Sequence, residues 1–259
     1  LMLLFFICRP GTNANMASKS SQEWSLKVQD QLRANLEGIQ SRIDLACESC
    51  GRSPTDVRLV AVTKYTPTEI VAELIALQQT VLGENRPQQL IERAQNLSDE
   101  FSWHLIGQLQ RNKVRAVLPY VSMIHSVDST KLLKQIDRVA AELELRPQLL
   151  LQVNVSGEDA KSGLSANEVR DQFSEIMQFH NVDLSGLMTM APQDASETML
   201  RKTFAGLREL RDELNASTQE IQLTELSMGM SGDFETAIAE GATLIRLGSV
   251  LFAGCDEIA

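Results

Sequence analysis

Histidine and cysteine are scarce in this chain, three and four residues among 259, and the scarcity narrows its chemistry. The cysteines are Cys8, Cys47, Cys50 and Cys255. Cys47-x-x-Cys50 has the spacing of a redox pair or half a zinc site. It ends a helical stretch instead of following a strand, and no second pair or histidine cluster completes four ligands. His104, His125 and His180 are scattered along the sequence. No metal site is expected, and the thiols read as reduced cysteines of a cytosolic protein. Basic residues are in the minority, 24 against 34 acidic, for a net charge of −10. That balance argues against a general nucleic-acid or anionic-membrane binder. Membrane-length apolar runs are also missing. The apolar Leu1–Ile7 is far too short to span a bilayer, and neither a basic region before it nor a convincing cleavage site after it marks a signal peptide. Met16 is followed by the polar run Ala17–Ser21. Residues 1–15 are therefore expected to be an upstream extension outside the fold, with 16–259 forming the domain.

What is present is ordinary for a globular protein, 43% hydrophobic and 22% charged residues. Between Glu23 and Ser49, Val28, Leu32, Leu36, Ile39, Ile43 and Ala46 recur at spacings of three and four. They predict a long amphipathic helix, ended by Gly51 and Pro54, that serves as structural cover. From Val57 onward strand-like and helix-like segments alternate. Strands are expected at 57–63, 80–84, 102–106, 121–127, 148–155, 182–190, 222–228 and 243–248. Helices are expected at 66–79, 86–98, 129–145, 165–180, 196–216 and 232–241, with a weaker pattern at 109–118. Eight strands with intervening helices and no composition break fit a single α/β domain, a (β/α)8 TIM barrel. A doubly wound open sheet gives the same pattern, since periodicity does not count closure.

A barrel gathers the C-terminal ends of its strands on one rim, where its chemistry sits. The first of these ends is Lys64, after the buried-strand pattern Leu59–Thr63. On position alone the better reading is a solvated loop lysine. Ser227-Met228-Gly229-Met230-Ser231-Gly232-Asp233 follows the seventh strand and opens a helix, and Gly248-Ser249 follows the eighth. Glycine backbone, serine hydroxyls and a helix N-terminus suit an anion, and the loops after strands seven and eight are where barrels often hold phosphate. The plainer alternative is helix capping and turn formation. Arg246 lies in the otherwise apolar Thr243–Gly248 and needs an acceptor there, either a carboxylate on a neighbouring strand or a ligand. An amine, an anion cradle and an isolated arginine on one rim match pyridoxal phosphate, which has an aldehyde, a phosphate and a ring nitrogen.

The motifs Ala61-Val62-Thr63-Lys64, Gly83-Glu84-Asn85, Trp103 to Lys113, Gln152 to Ser156 and Lys161-Ser162-Gly163 carry a resemblance. Gly186-Leu187-Met188, Leu226 to Ser231 and Arg246-Leu247-Gly248 extend it. Over roughly residues 25–254 the sequence resembles the YggS/PROSC family of pyridoxal-phosphate-binding proteins. The resemblance implies a fold-type III barrel like the N-terminal domain of alanine racemase. It implies Lys64 as the Schiff-base lysine and Arg246 facing the pyridine nitrogen. Ser227, Gly229, Met230, Gly248 and Ser249 would hold the phosphate, and Asn85 and Met190 would line the ring. The chain has Arg86 where tyrosine is common in the family and Ser249 where threonine is common.

That family is described as acting in vitamin B6 and amino-acid homeostasis without demonstrated enzymatic activity, so no catalytic residue is assigned. The residues point the same way. A racemase needs a second acid/base opposite the lysine, supplied in alanine racemases by a tyrosine from an additional β-domain, which is not expected here. Of the two tyrosines, Tyr120 precedes the fourth strand, on the wrong rim, and Tyr65 follows the lysine itself. An arginine at the ring nitrogen also weakens the ring as an electron sink. The expectation is a cytoplasmic, monomeric cofactor carrier; the alternative is a small racemase, lyase or aminotransferase using Lys64 as base. A regulatory protein partner is compatible with the acidic surface and the N-terminal helix, which specify none.

Overall fold

The computed structural model describes residues 13–157 and 162–258, with side chains from Ser21 onward. Residues 1–12, most of the expected upstream extension, and Lys161 of the quoted motif lie outside the described residues.

Eight strands form a closed parallel barrel: β1 (Arg58–Val62), β2 (Val81–Glu84), β3 (Ser102–Leu105), β4 (Met123–Val127), β5 (Gln148–Asn154), β6 (Asp183–Met188), β7 (Glu225–Ser227) and β8 (Leu244–Leu247). The neighbour order runs β4-β3-β2-β1-β8-β7-β6-β5, and β4 pairs with β5 to close the ring. The two-residue segment Leu164–Ser165 adds a short pairing to the end of β5. Closure decides between the two folds that the alternating pattern allowed. Each observed strand falls inside its expected range.

The alternation of the strands splits the core. Outward side chains such as Ala61, Leu105, Ile124, Leu149 and Leu187 pack under the surrounding helices, while Val60, Met123, Leu150, Met188 and Leu244 form a smaller cluster inside the barrel. The helices are α1 (Asn13–Cys50), α2 (Thr68–Ala72), α3 (Pro87–Asn96), α4 (Val114–Val117), α5 (Thr130–Glu142), α6 (Ala166–Ile176), α7 (Glu197–Ser217) and α8 (Phe234–Ala239).

Most helices are shorter than their periodicity suggests, and in two the hydrogen bonding shows why. The expected 66–79 helix begins only at Thr68, because the Thr66 amide donates to Thr63 O at 2.9 Å and closes a turn. It then gives way to a 3-10 turn, Ile75–Leu77, which ends at the left-handed Gln78. The expected 232–241 helix spans only Phe234–Ala239, its start taken up by a loop in which Met230 N donates to Asp233 Oδ1 at 2.5 Å. The 109–118 stretch folds as a 3-10 turn, the single-turn α4 and a second 3-10 turn.

Helix α1 starts earlier than expected and buries Val28, Leu32, Ile39, Ile43 and Cys47 against the barrel. Asn35 Nδ2 donates to Leu251 O (2.8 Å) and Ala253 O (2.9 Å), tying the segment after β8 to this helix. Among the described residues no helix is long and apolar enough to cross a membrane, and no group of acidic, histidine and cysteine side chains could hold a metal ion.

Candidate functional site

At the C-terminal rim a cavity of about 670 Å³ opens between the ends of β1, β2, β7 and β8. Thr63 leaves β1 with its amide still bonded to Gly83 O, and the chain then turns, exposing Lys64 and Tyr65. Both side chains line the cavity, and Lys64 Nζ stands 5.0 Å from the centre of the Tyr65 ring. Behind this turn lies a buried ion pair. Arg93 from α3 donates to Glu84 Oε1 at the end of β2 (2.5 Å), to Thr63 O (2.8 Å) and to Thr66 O (2.5 Å). Burial raises the pKa of the Glu84 carboxyl, against the lowering effect of its Thr63 hydrogen bond and of Arg93.

The opposite wall comes from the last two strands. Met230, Ser231 and Gly232 after β7, and Gly248 and Ser249 after β8, face the cavity. A side chain at Gly248 would meet Val62 O of β1 at 3.0 Å, so glycine lets this loop approach the lysine-bearing strand. Gly229 does not line the cavity. It takes φ +94, and a Cβ there would come within 2.7 Å of Ala237 Cβ, so it fixes how the loop packs on α8. The Met230 amide is already engaged by Asp233.

Arg246 lines the cavity floor while remaining 4% exposed. Its acceptors are neutral: Nη1 donates to Ser227 Oγ (2.6 Å) and Nη2 to Thr189 O (3.0 Å). The carboxylate partner allowed by the strand pattern is thus replaced by a hydroxyl and a carbonyl. Burial lowers the arginine's pKa to about 10, so the guanidinium stays charged at neutral pH. Ser227 is fully buried beneath the arginine and does not reach the cavity. Its hydroxyl also meets His125 Nδ1 (2.8 Å), and His125 Nε2 meets His104 Nδ1 (3.0 Å). With Ser227 accepting from Arg246, its own proton is available to His125, and in that order both histidines would be neutral Nε2–H tautomers. Burial supports the same state, lowering the pKa of His125 well below the usual value and that of His104 to about 4. Two histidines described as scattered in sequence are therefore adjacent in space.

Of the residues expected at the site, Lys64, Asn85, Met190, Met230, Arg246, Gly248 and Ser249 line one cavity, whereas Ser227 and Gly229 lie behind its wall. Arg86 is exposed and lines neither this cavity nor its neighbour. The neighbour, about 430 Å³, shares Asn85, Ile106, Met190 and Met230 with the first and extends towards Gln152 and Asn154. Tyr120 sits at the other end of the barrel, before β4, where its hydroxyl accepts from Gln95.

Residues 30–256 match the alanine racemase N-terminal domain family. The chain is 38% identical to the pyridoxal phosphate homeostasis protein of Aquifex aeolicus over 218 residues, 84% of this chain and 95% of that protein. It belongs to this family, among the pyridoxal phosphate homeostasis proteins. The solved structure of PipY from Synechococcus elongatus with PLP bound superposes with a TM-score of 0.74 at 38% identity, covering 82% of this chain and all of PipY. Alanine racemase from Clostridium difficile shares the fold at 18% identity and a TM-score of 0.71, covering 86% of this chain and 56% of that enzyme.

Ser231 and Gly232 belong to the loop expected to hold an anion but not to the residues assigned to the phosphate, and both line the cavity. The stretch from Phe252 to Asp256 supplies a further wall, and nothing in its composition signals a site.

Proposed function

We propose that this protein binds pyridoxal 5′-phosphate in the rim cavity, as a Schiff base on Lys64, and acts in vitamin B6 and amino- and keto-acid homeostasis. In this reading it is a cytoplasmic monomer that holds and releases the cofactor without turnover of its own. The observation that carries the proposal is the convergence of Lys64, the charged Arg246 and the Ser231–Gly232 and Gly248–Ser249 loops on one cavity of about 670 Å³. The donor set fits each part of the cofactor. The lysine amine suits the aldehyde, the glycine- and serine-bearing loops suit the phosphate, and Arg246 suits the ring nitrogen, with Asn85 and Met190 lining the ring. Ser227 holds Arg246 from below and Gly229 shapes the loop, so both support the anion cradle from behind. Relatives named pyridoxal phosphate homeostasis protein and the PLP-bound PipY support the same assignment.

When bound, the cofactor supplies an aldehyde that condenses with an amine and a ring that withdraws electrons. Arg246 donates from both Nη groups to neutral acceptors and stays charged. With the cofactor bound, a charged guanidinium facing the ring nitrogen would leave that nitrogen without a proton and weaken the electron sink. The neutral histidines are sequestered inside the barrel, away from the lysine's face of the cavity. Both features favour holding over turnover.

The absorbance spectrum of the purified protein with added pyridoxal phosphate, before and after borohydride, tests the reading. A visible-edge band is expected that borohydride removes, with the reduced adduct mapping to Lys64 and missing in Lys64→Ala. Binding of the cofactor by Lys64→Ala at wild-type affinity would overturn the assignment. Solvent deuterium appearing at Cα of a common amino acid at a competent rate would overturn the carrier role.

A further inference from the structure

The Glu84–Arg93 ion pair stands outside the cavity and has no part in the donor set above. It is almost fully buried, with side-chain exposures of 0% and 6%. A buried pair of this kind is a poor source of net stability, because desolvating two charges offsets most of their attraction. The compensation here is also incomplete, since Glu84 Oε2 has no hydrogen-bond partner among the described residues. Its geometry suggests another use.

The two Nη groups of Arg93 reach the carbonyls of Thr63 and Thr66, the first and last residues of the turn that presents Lys64 and Tyr65. The turn's own bond, Thr66 N to Thr63 O, runs between the same two residues. Glu84 completes the arrangement by accepting from the Thr63 hydroxyl at 2.5 Å and from Arg93 at 2.5 Å. A planar guanidinium with fixed donor directions can span two carbonyls in a way that an ammonium cannot. Helix α3 and the end of β2 are thereby fastened to both ends of a turn whose middle residues are exposed. Unlike a strand, a free turn of this kind has no ladder to fix it, so its position depends on these bonds.

We infer that Arg93, held by Glu84, is a positioning residue that clamps the 63–66 turn and so presets Lys64 at the cavity for capture of an aldehyde ligand. The inference rests on the proposed role of Lys64. Preorganisation of this kind lowers the ordering cost of binding.

Arg93→Met alone strands a buried carboxylate, so the informative variant is Glu84→Gln with Arg93→Met, compared with Arg93→Lys and the wild type. Amide exchange without ligand reads the clamp directly. The double variant is expected to lose protection at least tenfold at Thr66, while amides of β5 and β6 keep theirs. The rate at which added pyridoxal phosphate becomes borohydride-trappable on Lys64 is expected to fall at least tenfold. Arg93→Lys should fall between, because one ammonium serves the two carbonyls less well. Wild-type protection and rate in the double variant would overturn the inference, as would a loss of protection spread evenly through the barrel. If wild-type protein traps no cofactor on Lys64, the functional proposal fails. The exchange measurement then decides the clamp alone: selective loss at Thr66 upholds it, and unchanged protection overturns it.

Discussion

Arg246 shows how one residue can be charged, buried and tolerated. Its guanidinium donates to a hydroxyl and a carbonyl, and the hydroxyl passes the polarity to His125 and then to His104. The chain keeps both histidines neutral, which has a consequence for stability. A histidine whose folded pKa lies below its unfolded value of about 6.5 binds fewer protons folded than unfolded. Its stabilising contribution is therefore complete above pH 6.5 and is lost as pH falls towards the folded pKa. For His104, depressed to about 4, the loss between pH 6.5 and 4 amounts to roughly 3 kcal/mol, and His125 shifts in the same direction. Glu84, raised by burial, works in the opposite sense. Urea midpoints are expected to fall across this window in the wild type and to fall less in His104→Phe.

At the scale of elements, the barrel strands were legible because each is a short apolar run between turn signals, and their rim residues followed from topology. Lys64, Asn85, Met190 and Arg246 could be placed on one rim for that reason. Side-chain depth could not be read in the same way. Whether a residue at a strand end faces the cavity or the layer beneath depends on barrel register, and Ser227 falls on the inner side. Residues 66–79 read as a helix because spacing carries no information about the Arg93 and Thr63 bonds that hold Thr66 in a turn. Helix α1 was read as cover, and its apolar face agrees, yet its polar Asn35 also fastens the cavity wall after β8. Asn35→Ala is expected to cost about 1–2 kcal/mol for the lost bonds to the Leu251 and Ala253 carbonyls and from Gln31 and to weaken cofactor binding several-fold, measurable by urea unfolding and by titration.

For the molecule as a whole, the site couples binding to folding. A ligand bound by the native state alone, at a hundred times its dissociation constant, stabilises by about 2.7 kcal/mol. For a domain of this size that is roughly 5–10 °C in melting temperature. Removing pyridoxal phosphate by dialysis should lower the melting temperature by such an amount, and Lys64→Ala should show little of the shift. A differential scanning measurement on the two proteins, each with and without cofactor, checks both.

The pairing of β1 with β8, from Arg58 against Leu244 to Ala61 against Leu247, sets when this site can exist. The lysine arrives early in synthesis, whereas the arginine and the second anion loop arrive almost two hundred residues later. During translation a ribosome holds the lysine long before it has made the cradle, so the cofactor cannot serve as a template for the nascent chain. A product cut short before Arg246 would carry Lys64 without the cavity walls that follow β7 and β8. On the proposed site, capture of the vitamin would report that the polypeptide has been made through β8 and that β1 has found it.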